Sequence, residues 1–353
     1  MNTPATGIAL PEITSLEDIH ALLKDLPGPD EEARHKAVER DAVLTKPPGA
    51  LGRLEEIAAF MSAWQGRHPP ACERVKVAVF AANHGVAARG VSAFPPDVTA
   101  QMVANFAAGG AAINQLCAAF GHELQVLALN DLRPTGDISC QEAMTETECL
   151  AAIRAGMNTL AGQGSGARPD LVCIGEMGIA NTTVASALLH AIFGGHAEDW
   201  VGPGTGVDEA GVRHKATVVA AAVRRHGEAR DNPLELLRRL GGFEFAAMLG
   251  VILAARLNRV PVLLDGFMTA AAAAVAHAVS ADATAHCLAG HVSAEPAHAR
   301  ALAEMNLRPL LDLDMRLGEG TGAALAAQVV KAAVATHAGM ATFDEAGVSG
   351  KER

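Results

Sequence analysis

The chain has no tyrosine, and aromatic residues fill only 3% of its 353 positions. A β-sandwich draws on Thr, Tyr and Trp, so this scarcity argues against that architecture. None of the six cysteines, at 72, 117, 140, 149, 173 and 287, forms a Cys-x-x-Cys pair. That usage implies reduced thiols and a cytoplasmic protein, with Cys173 and Cys287 buried in apolar runs. No basic stripe accompanies the net charge of −11, which excludes nucleic acid as the expected partner. An anionic substrate stays open, because backbone amides in Gly-rich loops hold phosphate without side-chain charge. The first thirteen residues lack a basic region followed by an apolar stretch, so no export signal is expected. The most apolar stretch, Phe267 to Val279, is short, mostly Ala, and contains Thr269 and His277. It reads as a buried helix and not as a membrane span.

What is present is alanine in quantity and a regular alternation. Half of the residues are apolar, enough for a sizeable core, and Ala suits helices packed closely on a sheet. The first segment reads as helices: Leu16 to Leu26 capped by Ser15, a second with Glu31 and Glu32 in its first turn, and Leu51 to Trp64. From Val75 onward, short apolar runs alternate with helical stretches. Strands are expected at 75–80, 124–128, 171–174, 260–264, 284–288 and 309–313. Helices are expected at 98–106, 113–120, 141–160, 182–193, 208–225, 243–257, 296–305 and 323–336. This is the pattern of β-α units, an α/β fold with a Rossmann-like, six-stranded, mostly parallel sheet and helices on both faces.

Ligands of such sheets bind beyond the carboxyl ends of the strands, and unusual residues follow five of the six expected strands. They are Asn83-His84-Gly85, the run Gly175 to Thr183, Asp265-Gly266-Phe267, Gly290-His291-Val292-Ser293 and Gly318-Glu319-Gly320-Thr321-Gly322. A further loop, Gly202-Pro203-Gly204-Thr205-Gly206, precedes a helix. Any one of these could be turn chemistry; several on one rim describe a phosphate- and nucleotide-sized site lined by backbone. Neither a Gly-x-Gly-x-x-Gly nor a Gly-x-x-x-x-Gly-Lys-Ser/Thr fingerprint occurs, which weakens a dinucleotide-dependent dehydrogenase or a P-loop enzyme. His84, His286, His291 and His298 lack metalloprotease spacing, and no metal or other cofactor is expected. Glu176 and Glu319 have no charged sequence neighbours and follow buried strands. Desolvation would raise their pKa toward the range of a general base; the other reading is that each caps a helix or a loop amide.

The runs Lys46 to Glu55, His84-Gly85-Val86, Gly175 to Ile179, Asn181-Thr182-Thr183, Gly202 to Gly206 and Leu310 to Gly322 resemble the nicotinate-nucleotide–dimethylbenzimidazole phosphoribosyltransferase family. The match runs in order from about Lys46 to the final helix. It implies transfer of phosphoribose from nicotinate mononucleotide to 5,6-dimethylbenzimidazole, without metal, by a homodimer. It also implies a small helical domain, residues 1–68 with 337–353, beside a large catalytic domain, 69–336. Glu319 would be the catalytic base, with Glu176 near the ribose. Ser92, Gln101, Met177 and Leu317 would line the acceptor base. Gly178, Ile179, Gly202, Gly204, Thr205 and Gly206 would hold the nucleotide, together with Asp265, Gly266, His291 and Val292. Lys215 would pair with the phosphate, or else be a solvated lysine on an amphipathic helix. The acceptor could instead be adenine, another benzimidazole or a phenol, and a non-catalytic nucleotide-binding protein of this fold is the remaining alternative. Two positions depart from the family pattern: Asn83 replaces an Asp, and Ala180 replaces a Gly, which fits if Ala180 keeps helical dihedrals.

Overall fold

The computed structural model describes residues 10–161 and 168–349. The first nine residues, on which much of the export-signal expectation rests, and the last four of the expected helical domain lie outside the described residues.

Ser15 and Asp18 exchange side-chain and backbone hydrogen bonds in a capping box that starts α1 (Leu16–Lys24). Asp30 caps α2 (Glu31–Asp41), and α3 (Arg53–Gln65) stops at Gly66 in the left-handed conformation. Next come β1 (Val75–Ala81), α4 (Asp97–Ala107), α5 (Ala112–Phe120), β2 (Glu123–Ala128), α6 (Glu146–Asn158), β3 (Leu171–Met177) and α7 (Asn181–Phe193). Then follow α8 (Glu209–Arg225), α9 (Pro233–Leu240), α10 (Phe243–Leu257), β4 (Val262–Leu264), α11 (Phe267–Val279) and β5 (Cys287–Ala289). The last elements are β6 (His291–Val292), α12 (Pro296–Glu304), β7 (Leu311–Asp312), α13 (Thr321–Gly339) and α14 (Phe343–Ala346).

The α/β fold is as expected, but the main sheet has five parallel strands, in the order β2-β1-β3-β4-β5, and not six. The sixth expected strand forms as β7 and pairs with β6 in a separate two-stranded sheet. Leu310 and Leu311 still donate to the carbonyls of Ala289 and Gly290, so β7 starts along the outer edge of β5. The ladder with β4 ends at Gly290, whose N–H makes its last bond, to Leu264 O at 2.8 Å. That edge strand therefore continues past a kink as β6. His291 and Val292, expected in a loop, belong to it.

Period-2 alternation divides the strands between two apolar layers. Ala78, Phe80, Val172, Ile174, Val262 and Leu264 face a core shared with α6, α7, α10 and α11; Val77, Val79, Leu171, Cys173 and Leu263 face one shared with α3, α5 and α13. The Ala-rich α11 is buried, as its sequence implied. Residues 97–120 are apolar and long enough in total to cross a bilayer. The turn at Gly109 splits them into helices of 11 and 9 residues, each short of the ~20 a span needs.

Other expectations shift for local reasons. The helix expected from Gln141 starts only at Glu146, because Thr145 and Glu148 form a capping box there. Residues 281–284, adjoining and overlapping the fifth expected strand, wind into a 3-10 turn, so β5 starts at Cys287. Helix α9 was not anticipated, although Asn232 caps it and Pro233 occupies its first turn.

Candidate active site

The alternation that builds the core also delivers the acids. Gly175, Glu176 and Met177, expected in a loop, are the last residues of β3, held there by pairing with Val79, Phe80 and Ala81 of β1. Glu176 falls on the same face as Val172 and Ile174, and so turns toward α7 and α10. Its carboxylate receives the Asn181 side-chain amide from the start of α7. Gly175 falls on the opposite face, where the loop before α13 lies directly on the strand. A Cβ at 175 would come within 2.3 Å of Gly320 N, so only glycine permits this approach.

That loop is turned inward by three successive left-handed residues, Gly318 (φ 84°), Glu319 (φ 63°) and Gly320 (φ 82°). The conformation is uncommon for a residue with a side chain and is stored where surroundings enforce it. Here the enforcing contacts are visible. Glu319 N–H donates to Glu176 O at 3.2 Å. Asp265, just past β4, accepts the N–H of Gly320 at 3.1 Å and of Ala323 at 2.9 Å. Asp265 is thus a cap delivered from another element, filling the orphan donors at the N-terminus of α13. The Glu319 carboxylate ends up buried, with the Ile113 N–H 3.4 Å from its Oε2.

Among the described residues, no Lys or Arg makes ion-pair contact with these three carboxyls. The basic group beside them is His291, with Nδ1 3.7 Å from Asp265 Oδ1. Burial raises the Glu319 pKa against the Ile113 hydrogen bond. Burial, then the charges of Glu244, Asp265 and Glu319, hold Glu176 well above the carboxylate range. Burial pushes Asp265 up to about 7 despite its backbone bonds. His291 packs its ring on Gly322 and Gly266, and burial lowers its pKa. The other three histidines named above as conceivable metal ligands have different partners. His84 lies 2.7 Å from Glu244 Oε1, both side chains fully buried. His286 meets Ile252 O at 3.0 Å and His298 accepts Ser293 N–H at 2.8 Å.

Further along the rim, Gly178 and Ile179 form the turn after β3, and Ile179 N–H donates to Thr99 Oγ1 of α4 at 3.2 Å. Ala180 follows with φ 72° and ψ 6°, so the helical dihedrals on which its replacement of Gly was conditional are not met. The turn must reverse to start α7, and in the left-handed region a Cβ is strained. The loop 202–206 closes over Lys215, which is 1% exposed; the reading of a solvated lysine is therefore excluded. Its ammonium donates to Thr182 Oγ1 at 2.7 Å and Gly202 O at 3.2 Å. Burial depresses the Lys215 pKa to about 8, partly offset by Glu295. Gly204 is buried, whereas Thr205 and Gly206 stand exposed at the tip.

The expected acceptor residues are less gathered. Met177 is half-buried at the end of β3, Gln101 is exposed on α4, and Leu317 is 59% exposed. Ser92 Oγ accepts Phe94 N–H at 3.3 Å. Among the described residues, no hydrogen bond joins Ser92 or Gln101 to Glu176 or Glu319. Sequence reasoning missed Glu244 and Glu295. The signal for Glu244 was a lone acid in the run Phe243-Glu244-Phe245-Ala246; Glu295, before Pro296, looked like an ordinary helix start.

The sequence model of a family described as phosphoribosyltransferase matches residues 26–348. The nicotinate-nucleotide–dimethylbenzimidazole phosphoribosyltransferase of Rhizobium leguminosarum bv. trifolii is 57% identical over 336 residues, 95% of this chain and 98% of that protein. The protein of the same name from Brucella anthropi is 54% identical over 336 residues, with the same coverage. The crystal structure of CobT from Thermus thermophilus superposes with a TM-score of 0.84 at 42% identity, covering 91% of this chain and 100% of that one. The matched span, residues 26–348, includes every strand and loop of the acid-lined rim, and by these likenesses the chain belongs to the nicotinate-nucleotide–dimethylbenzimidazole phosphoribosyltransferase family.

Proposed function

We propose that this protein transfers the phosphoribosyl group of nicotinate mononucleotide to 5,6-dimethylbenzimidazole, giving α-ribazole 5′-phosphate and nicotinate for the lower nucleotide of cobalamin. The observation that carries the site assignment is Glu319: a buried carboxylate with raised pKa, turned inward at the sheet rim with no Lys or Arg among the described residues to neutralise it.

The chemistry asks for such a group. One ring nitrogen of neutral benzimidazole attacks C1′ while the other loses its proton. A base that takes that proton as the bond forms avoids a cationic product, and a raised pKa improves the match. Nicotinate leaves from a nitrogen that is already cationic, so no general acid is needed. As that bond breaks, positive charge moves onto the ribosyl carbon and ring oxygen. Glu176, facing the ribose, complements it in its ionised form, which the nearby positive charge favours, and attack from the opposite side inverts C1′. Holding both reactants in line supplies much of the acceleration.

The phosphate is assigned to the loop 202–206 and Lys215. Two of the three ammonium protons are bound to Thr182 and Gly202, leaving one for a phosphate oxygen. Gly178, Ile179, Gly266, His291 and Val292 line the nucleotide, and Asp265 acts by holding the Glu319 loop. Ser92, Gln101, Met177 and Leu317 form the acceptor side. Purified protein given both substrates should yield α-ribazole 5′-phosphate; its absence sinks the reading. Competition of dimethylbenzimidazole with adenine and a phenol identifies the preferred acceptor.

Three accompanying readings belong to the same proposal. A small helical domain of 1–68 with 337–353 is supported by Arg40, which donates to His337 O, Ala338 O and Met340 O, and by the Leu44–Thr342 bridge. A homodimer is supported by the apolar, mostly exposed α4–α5 face together with Phe94, 48% exposed. Light scattering should give twice 36.3 kDa; a monomer refutes the dimer. A cytoplasmic setting suits six unpaired cysteines.

A further inference from the structure

Beside the loop 202–206 stands an acid that neither the sequence motifs nor the chemistry above uses. Glu295, between β6 and α12, is 5% exposed. One of its oxygens, Oε2, lies on the Cα of Gly202: a Cβ there would come within 2.2 Å of it. The backbone N–H of Gly204 also favours the charged form of this carboxylate. The other oxygen, Oε1, is buried and has no hydrogen-bond partner among the described residues. Lys215 makes no hydrogen bond to it; the two bonds of its ammonium go to Thr182 and Gly202.

A buried carboxylate oxygen without a donor costs stability, and native proteins keep such groups where a partner arrives later. A negative group beside a phosphate loop is a second cost, tolerable only if it recognises something that is not phosphate. The donor substrate narrows what that is. With its phosphate and carboxylate ionised, nicotinate mononucleotide has only two kinds of hydrogen-bond donor left, the ribose 2′- and 3′-hydroxyls. Resting on the nucleotide placement given above, we propose that Glu295 is a further substrate-contacting residue whose Oε1 accepts a ribose hydroxyl and so sets specificity for the ribonucleotide. The Gly204 N–H and the packing on Gly202 fix the carboxylate to the same loop that holds the phosphate. Sugar and phosphate are then read as one rigid unit.

The test compares kcat/KM for nicotinate mononucleotide and its 2′-deoxy and 3′-deoxy analogues in wild type, Glu295→Ala and Glu295→Gln. Wild type should lose about 10–100-fold on removal of one hydroxyl, the range of a hydrogen bond to a charged acceptor. Glu295→Ala should lose a similar factor on the ribonucleotide and become indifferent to that hydroxyl. Glu295→Gln, which keeps the shape and one neutral acceptor, should fall between and serves alone if the alanine variant does not fold. A variant that discriminates among the three sugars as wild type does, or one that penalises all three equally, overturns the assignment. Lys215→Met should raise KM for all three sugars alike. If it leaves KM unchanged, the nucleotide placement itself fails. A normal lysine effect with undiminished sugar discrimination in the Glu295 variants removes Glu295 alone.

Discussion

Two stretches of one sheet rim meet opposite electrostatic demands. Around the end of β3, Glu176, Glu319 and Asp265 converge, all buried, with no Lys or Arg among the described residues paired to them. Around the loop 202–206, a buried lysine stands among backbone groups, with Glu295 as its distant counter-charge. The acid stretch suits a centre that becomes cationic and a proton that must leave; the lysine stretch suits a phosphate that stays anionic throughout. Both exploit burial, which strengthens charge interactions by excluding water. Its effect on pKa is opposite in sign, raising the carboxyls and lowering the ammonium. On the proposed placement the substrate spans the contrast, and the contrast then orients it.

The largest effect expected from breaking this contrast is on chemistry. Glu319→Gln keeps the loop shape but removes the base, and kcat should fall about 10³-fold with little change in KM for the nucleotide. Single-turnover kinetics check it; near-normal turnover removes Glu319 from that role. On the lysine stretch the split reverses. Lys215→Met should raise KM for nicotinate mononucleotide by about 10–100-fold, the loss of a charge-assisted hydrogen bond, and kcat should move less.

The pH profile of kcat/KM sharpens the comparison without mutation. Glu319 acts deprotonated and its pKa is raised, so the acid limb should lie above the ordinary glutamate value of 4.5. Lys215 acts protonated with a pKa depressed to about 8, so the alkaline limb should fall there. In Lys215→Met that limb should vanish while the acid limb stays. An alkaline limb retained unchanged assigns it to another group.

The smallest effect concerns the turn that joins the two stretches. Ala180→Gly relieves a left-handed alanine at some cost in chain entropy, for a net gain of about 1 kcal/mol. Urea unfolding measures it, and a loss of stability would mean that the buried methyl contributes more by packing than it costs in strain.

Much of this was legible beforehand, for identifiable reasons. Helix α1 follows from its cap and periodicity, and α7, α10 and α13 follow from long runs rich in Ala, Leu and Val, all of which are local. The five main strands were visible as short apolar runs, most plainly β1, β3 and β4, whose faces are both covered. The loop Gly318 to Gly322 stood out because three glycines flank a lone acid. The sixth strand was misplaced in the sheet because pairing is a relation between distant segments, and Gly290, where the ladder with β4 ends, lies against the distant Ala323. Whether Ala180 is helical was left as a condition, because a dihedral that strains a residue leaves no mark in its own identity. Glu244 and Glu295 were passed over because an acid in a first turn looks the same whether solvated or buried.

By itself, then, the amino-acid order determined the α/β class and the Gly-rich loops after the strands, since these rest on periodicity and on residue types within a few positions of one another; spacing alone left Glu319 open between a base and a cap. Which carboxyls lie buried together, which lysine loses its water, and which oxygen of Glu295 is left without a donor were decided only when β3, β4, β6 and the loop before α13 met. Desolvation and hydrogen-bond completion belong to the assembled surroundings of a group, and those come from segments far apart in the chain.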